Sequence, residues 1–228
     1  MSNVSNTRSE PTGRLRVSMP VAFGREYILP LLPAFTARYP AVEIDFQLDN
    51  RQVDLVGEGF DAAIGGSLEL GAGIVSRELS RAHLIVAASP AYLAAHGTPK
   101  TPADLTGHDG VALRSALTGR LRNWTFRNAA GEEVVMNLRP RVIFDDMEAV
   151  SVGASLGLGI GLVAVALAKR ALDRGELLRI LPKWHADAGS LSIYYATHKL
   201  LPAKTRVFVD HVVEQFRKQR FAKRLRAD

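Results

Sequence analysis

The sequence contains no cysteine. That excludes disulfides, thiolate metal sites and a cysteine nucleophile, and it fits a reducing compartment such as the cytoplasm. No stretch approaches the roughly 18 consecutive apolar residues that a membrane span needs, so no membrane partner is expected. The opening, Met1 to Thr12, is polar and has no apolar core of a secretory signal. Metal-ligand spacing is missing as well. The six histidines (His83, His96, His108, His185, His198 and His211) form neither H-x-x-x-H nor H-x-x-E-H.

The chain has 228 residues, 47% of them apolar and 23% charged, enough for one large globular domain or two small ones. The net charge of +6 is unevenly placed. From Arg217 to Asp228 there are six basic residues and one acid, which gives +5 and leaves about +1 for the remainder. A nearly neutral body lacks the electrostatic footprint of a DNA-binding domain. The basic end reads as solvated charge at a chain terminus.

Leu15, Val17 and Met19 alternate with polar residues and predict a strand. Ile28, Leu31, Leu32, Phe35 and Tyr39 follow at helical spacing, with the regular helix expected to start near Pro30 and stop before Pro40. Val42, Ile44, Phe46 and Leu48 alternate most clearly of all. Asn50 is placed to cap a short helix carrying Val53, Leu55 and Val56, and Phe60 to Ile64 reads as a buried strand. The opening is therefore an α/β pattern.

A second unit follows the apolar run His83 to Ala88. Ser89-Pro90 and Gly97 bracket a helix, Trp124 to Val135 reads as a hairpin, and Asp145-Asp146 precede a helix bearing Met147, Val150 and Ala154. Pro99 to Gly119, rich in Gly, Pro, Thr and Asp, reads as surface connection. The last helix starts near Pro202 and buries Phe208, Val209, Val212 and Phe216.

Three motifs carry a chemical and a structural meaning. Gly153-Ala-Ser155-Leu-Gly157 matches the G-x-S-x-G nucleophile elbow, with Asp173, Asp187, His185 and His198 downstream. Ser155, however, ends a predicted helix, whereas the elbow needs a strand-to-helix turn. Gly157, Gly159 and Gly161 leave a helix and enter a strand, the reverse of a dinucleotide fingerprint. Asp145-Asp146 suits a helix N-cap as well as a carboxylate pair. Helix starts at Met19-Pro20-Val21-Ala22, Ser89-Pro90 and Asp145-Asp146 each offer free amides to a polar ligand.

Gly13-Arg-Leu-Arg-Val17, Leu29-Pro30 to Tyr39-Pro40, Val53-Asp-Leu-Val56, Gly59-Phe-Asp61-Ala-Ala-Ile64, Ala88-Ser-Pro-Ala-Tyr-Leu93, Trp124-Thr-Phe126, Gly157-Leu-Gly-Ile160 and Gly175-Glu-Leu177 stand in the order of a known family. Together, from about Gly13 to Phe216, they resemble the effector-binding domain of LysR-type transcriptional regulators. The resemblance implies an α/β fold of the type 2 periplasmic-binding-protein kind, with two Rossmann-like lobes joined by two crossover strands near Ala87-Ala88 and Ser190 to Ile193. Lobe one would cover 14–87 plus 193–217 and lobe two 88–192, between a disordered 1–13 and a basic tail at 218–228.

It implies a small-molecule effector, no cofactor, no metal and no catalysis. The effector pocket would be lined by Ser18, Met19, Pro20, Val21, Asn50, Gly65, Gly66, Ser89, Phe144, Asp145 and Asp146, with Arg114 as a candidate anion contact. It also implies a homodimer or higher homo-oligomer, in which the helix Leu29 to Tyr39 packs on the partner's helix near Met147 to Leu156. The plain alternative is that both apolar faces belong to the chain's own core.

Related sequences often carry arginine where Gly65 stands, so an acidic ligand loses an obvious anchor. A proline is usual at the position of Ala164. The winged helix-turn-helix expected before such a domain is missing ahead of Gly13. The chain therefore reads as a piece of a longer regulator, reaching promoter DNA only through that part. Two other readings are a solute-binding protein of a transport system, which would need an export signal or lipid anchor, and a serine esterase using Ser155. A fluorophosphonate probe separates the last: no stoichiometric labelling is expected, and labelling abolished by Ser155→Ala would establish the esterase.

Overall fold

The structure, a computed structural model, describes residues 10–66, 71–115, 118–197 and 201–227. Two compact units divide the chain. One holds the described residues through Leu79 together with Ser192–Gln219; the other holds Ser80–Leu191 and the residues from Arg220 onward. The chain changes unit inside two long strands, Ile74–Ala88 (β4) and Ala186–Ala196 (β11), and again after Gln219. Residues 1–9 of the expected disordered tail lie outside the described residues, and Gly13 already opens a strand.

In the first unit β1 (Gly13–Met19) lies between β2 (Val42–Leu48) and β3 (Ala62–Gly66), parallel to both, and the strand order continues to β11. The alternation of β1 buries Leu15, Val17 and Met19. The helical segment after β1 begins at Val21, not near Pro30. It runs through α1 (Val21–Phe23), a π turn (Gly24–Ile28), a 3-10 turn (Leu29–Leu31) and α2 (Leu32–Arg38). Pro30 and Pro33 have no amide hydrogen to give the ladder. The pitch widens, with the Leu29 N–H reaching Gly24 O, and then tightens, with the Leu32 N–H reaching Leu29 O.

Aromatic packing joins this segment to α6 (Ala203–Lys218). Phe35 meets Phe208 edge-on at 5.5 Å, and Phe208 meets Phe46 at 5.8 Å. His211 is buried against Leu31 O at 3.1 Å, and because that carbonyl only accepts, Nε2 carries the proton. At the other end of α6, the Asp61 carboxylate accepts the Arg16 amide at 2.9 Å and Lys204 Nζ at 2.8 Å. The helix expected after Asn50 does not form. Asp54 Oδ1 instead takes the amides of Val56 and Gly57 at 3.2 and 3.0 Å, and Gly59 adopts φ +69°. Short Asp side chains compete with helical bonds in this way.

The second unit contains α3 (Pro90–His96), a 3-10 turn (Pro102–Gly107), β5 (Asp109–Leu113), β6 (Thr125–Arg127), β7 (Glu133–Val135), β8 (Arg139–Phe144), α4 (Met147–Ser155), β9 (Ile160–Ala164), α5 (Val165–Asp173) and β10 (Leu178–Ile180). The strand order is β4-β9-β5-β8, with β10 beside β4 and β6-β7 as a separate antiparallel pair. β5 runs parallel to β8 and β9, while β4 is antiparallel to β9. Ser89 Oγ caps α3 by accepting the Tyr92 amide at 3.2 Å, and Asp146 Oδ1 caps α4 by accepting that of Ala149 at 2.7 Å.

Two expectations are corrected here. Pro99 to Gly119 is not only surface connection, since β5 is an interior strand of the sheet. Asp109-Gly110 looks like a turn but is held in the sheet. The buried Asp109 carboxylate takes Arg139 Nε at 2.9 Å and Arg141 Nη1 at 2.6 Å, and its amide donates to the Tyr92 hydroxyl at 3.0 Å. The basic terminus is likewise not simply solvated. In α7 (Phe221–Arg224) and after it, Phe221 and Leu225 are buried, four apart on one helical face, while Lys223, Arg224 and Arg226 stay exposed. Arg179 Nη1 then holds Ala227 O at 2.7 Å, and the Ala227 amide donates to His83 Nδ1 at 3.0 Å.

Two measurements test this account. A Cβ at Gly159 would sit 2.6 Å from Asp109 O, a backbone atom that cannot step aside. Gly159→Ala should therefore cost about 1–3 kcal/mol in urea unfolding. The Asp109 carboxyl is held below the usual carboxylate range by hydrogen bonds from Arg141 and then Arg139, against an opposing effect of burial. A lowered folded pKa contributes stability in full above about pH 4 and loses it as the pH falls through the folded value. Asp109→Asn should thus be less stable than the parent at pH 7, with the gap narrowing on acidification below about pH 4.

Candidate functional site

Parallel strands end on a common edge, and the loops after those ends are where open α/β sheets take ligands. In the first unit Met19 pairs with Leu48 and Ser18 with Ala63, so the ends of β1, β2 and β3 lie side by side. Ser18, Met19, Pro20, Val21, Asn50, Gly65 and Gly66 are thereby gathered. Their roles differ. Ser18 and Met19 are buried, and Met19 lies so close beneath the backbone of Gly24 that a Cβ there would meet its Cγ and Sδ at 2.9 Å. Gly65 is buried too, whereas Asn50 and Gly66 are exposed and Pro20 and Val21 half-buried.

Asn50 starts no helix of its own. Its Oδ1 accepts the Val21 amide at 3.1 Å and so caps α1 from the neighbouring strand end. Beside it, Arg51 Nε binds Asp49 Oδ2 at 2.8 Å and Arg51 Nη1 binds Glu58 Oε1 at 2.8 Å. The Arg51 side chain, aided by the Asp54 amide, pulls the Glu58 carboxyl down to about 2. The Arg51 amide holds the Asp49 carboxyl below its usual value. These charges stay fixed through the physiological pH range.

In the second unit the Arg114 amide donates to Phe144 O at 2.7 Å, which continues the Leu113–Phe144 pairing past the ends of β5 and β8. Arg114, Phe144, Asp145 and Asp146 therefore share one edge. Asp146 is committed to its cap, while Asp145 and Arg114 are exposed. Ser89 is not brought to them. Because β4 runs antiparallel to β9, with Ala87 opposite Gly161 and Gly161 opposite Val111, its end lies at the start of β5. Ser89 thus sits on the opposite edge of the sheet, roughly 13 Å along the strand direction. Its hydroxyl caps α3.

Ser155 is the last residue of α4, and its hydroxyl donates to Val152 O at 2.7 Å. The downstream partners are engaged elsewhere: His185 stacks on His83 at 4.8 Å, Asp173 pairs with Lys169, and Asp187 pairs with Arg81. His198 lies outside the described residues. Gly157 and Gly159 form the turn from α4 into β9. Among the described residues no group of three or more His, Asp or Glu could hold a metal ion. Sequence reasoning overlooked Arg122, Asn123 and Trp124, which line a groove on the second unit. A tryptophan two residues from an arginine was the available signal.

Residues 8–217 match the LysR substrate binding domain model, and the chain belongs to that family. It is 31% identical over 218 residues to the probable HTH-type transcriptional regulator LtrA of Klebsiella pneumoniae, covering 94% of this chain and 69% of that protein. It is 30% identical over 213 residues to the uncharacterised HTH-type transcriptional regulator YcaN of Escherichia coli K12, covering 93% and 69%. Among solved structures, the regulatory domain of CrgA, a LysR-type transcriptional regulator from Neisseria meningitidis, superposes with a TM-score of 0.75 at 26% identity, covering 90% of this chain and all of that one. The full-length Vibrio cholerae virulence activator AphB gives 0.75 at 27% identity, over 91% and 69%. The two-lobed α/β fold of these regulatory domains is the fold of this chain, which is the ligand-sensing domain of a LysR-type transcription regulator.

The Asn50 contact can be checked by stability. Asn50→Ala leaves the Val21 amide without its acceptor and should cost about 1 kcal/mol, while Asn50→Asp keeps an oxygen there and should cost less. Denaturant midpoints of the two variants decide it.

Proposed function

We propose that the effector is a small metabolite bound without being transformed, and that recognition falls to the two strand-end edges. The first unit offers Pro20, Val21, Asn50 and Gly66 over a wall of Ser18, Met19 and Gly65. The second offers Arg114, Phe144, Asp145 and Asp146. The observation that carries this reading is the parallel pairing of β1 with β2 and β3, which collects residues 30 to 50 positions apart at the cross-braced start of a helical segment. Absence of chemistry fits the engagement of Ser155 with its own helix. Binding need only favour one of two conformations to act as a signal.

The regulator works in the cytoplasm as a homodimer or larger homo-oligomer, and promoter DNA is contacted by a helix-turn-helix part like that named in its relatives. Exposed Val152 and Leu156 on and just after α4 support a role for that helix in self-association. No helix among the described residues is long and apolar enough to cross a membrane.

A thermal-shift screen against small organic acids, aromatics and amino acids tests the proposal. A ligand of the native state adds about 2.7 kcal/mol at a hundred times its dissociation constant. A hit should be recovered unaltered, and Pro20→Trp and Phe144→Ala should each shrink its shift while leaving the unliganded melting temperature within a few degrees. A hit that is consumed would sink the non-catalytic reading. Unchanged affinity in both variants would move recognition away from these edges.

A further inference from the structure

The two faces of β5 are unlike. Val111 and Leu113 pack with Val150 and Ala154 of α4. Alternation then turns Gly110 and Ala112 to the other face, where a Cβ on Gly110 would lie 2.6 Å from Leu138 Cβ. With almost no side chain on that strip, a groove remains above the strand, of about 470 Å³ including the space open to solvent. Its walls are Leu121, Trp124, Met136, Leu138, Pro140 and Leu162. Part of that space is open solvent, and the lining mixes apolar side chains with Arg122 and Asn123.

The polar rim is cationic. Arg122 lines the groove with its guanidinium carbon 4.9 Å from the centre of the Trp124 ring. Among the described residues it has no carboxylate partner, and no acceptor for its side-chain N–H groups. A ring face attracts the charge, and because Arg122 is exposed, water meets those donors until a ligand carboxylate replaces it. The nearest buried carboxylate, Asp109, is already taken by Arg139 and Arg141. Arg122 is the one charged side chain that lines the groove.

We propose that this groove is a second ligand site, separate from the strand-end edges, for a small carboxylate with a flat apolar body. The body lies along β5 between Trp124 and Leu162, and the carboxylate meets the Arg122 fork. None of Phe144, Asp145 or Asp146 lines it, so it stands independently of the effector reading above.

The test uses the full chain carrying Trp184→Phe, which leaves Trp124 as the one tryptophan of the original two. Phenylacetate and its neutral counterpart phenylacetamide are titrated while Trp124 fluorescence is followed. Phenylacetate should give a saturable change, and phenylacetamide should bind about tenfold more weakly. Arg122→Gln, an exposed change that leaves folding intact, should weaken phenylacetate about tenfold and leave phenylacetamide unaltered. Ala112→Leu fills the strip and should abolish both responses without lowering the melting temperature. Equal binding of acid and amide, no saturable response, or a response that survives Ala112→Leu overturns the proposal. So does a response lost in Phe144→Ala, which would place the probe at the strand-end edge instead.

Discussion

Asp109 brings a carboxylate with 6% exposure to the start of an interior strand, where an uncompensated charge is disfavoured. Arg139 and Arg141 of β8 both bind it. A register shift between β5 and β8 falls at this point, between Gly110 and Val111. The same residue gives its amide to Tyr92 of α3, and its carbonyl lies where only a glycine fits, at Gly159 in the turn from α4 to β9. Four elements thus take their position from one residue. The bare strip of Gly110 and Ala112 and the pairing of Leu113 with Phe144 both follow from where Asp109 fixes the strand.

How much of this the sequence reveals depends on whether the partner is near or far along the chain. Ser89-Pro90 with Gly97, Asp146 before Met147, and the apolar face of the last helix are signals closed within a few residues, and each is found as read. Asp109 was invisible because its partners lie about 30 residues away, and Asp-Gly resembles a turn when seen alone. Asn50 reads locally as a cap for the chain ahead of it, whereas its side-chain oxygen serves Val21, 29 residues back. Phe221 and Leu225 were hidden among six basic neighbours, whose charge stays in water while the apolar pair turns inward.

The candidate site shows the same division. The strand ends of the first unit could be gathered on paper because βαβ-like connections force parallel strands and hence a shared edge. The edge on which Ser89 sits is not legible locally, because nothing in its sequence shows that β4 runs against β9. Strand sense is decided by the whole sheet, so one reversed strand sends its terminus to the far edge. The local sequence is equally silent about Arg122, whose meaning depends on which carboxylates other parts of the chain have already occupied.

The change of pitch between Val21 and Arg38 bears on how that segment is held. Two prolines remove two rungs from the hydrogen-bond ladder, so the turns before Pro30 and the helix after Leu31 are joined by fewer bonds than a uniform helix would provide. Cooperative units in proteins separate where such links are sparse. Side chains hold both parts instead, with Phe23 of the first turns 6.0 Å from Phe216 and Phe35 edge-on to Phe208. The segment is thus fastened to α6 at two separate points, by packing where its backbone ladder is thin.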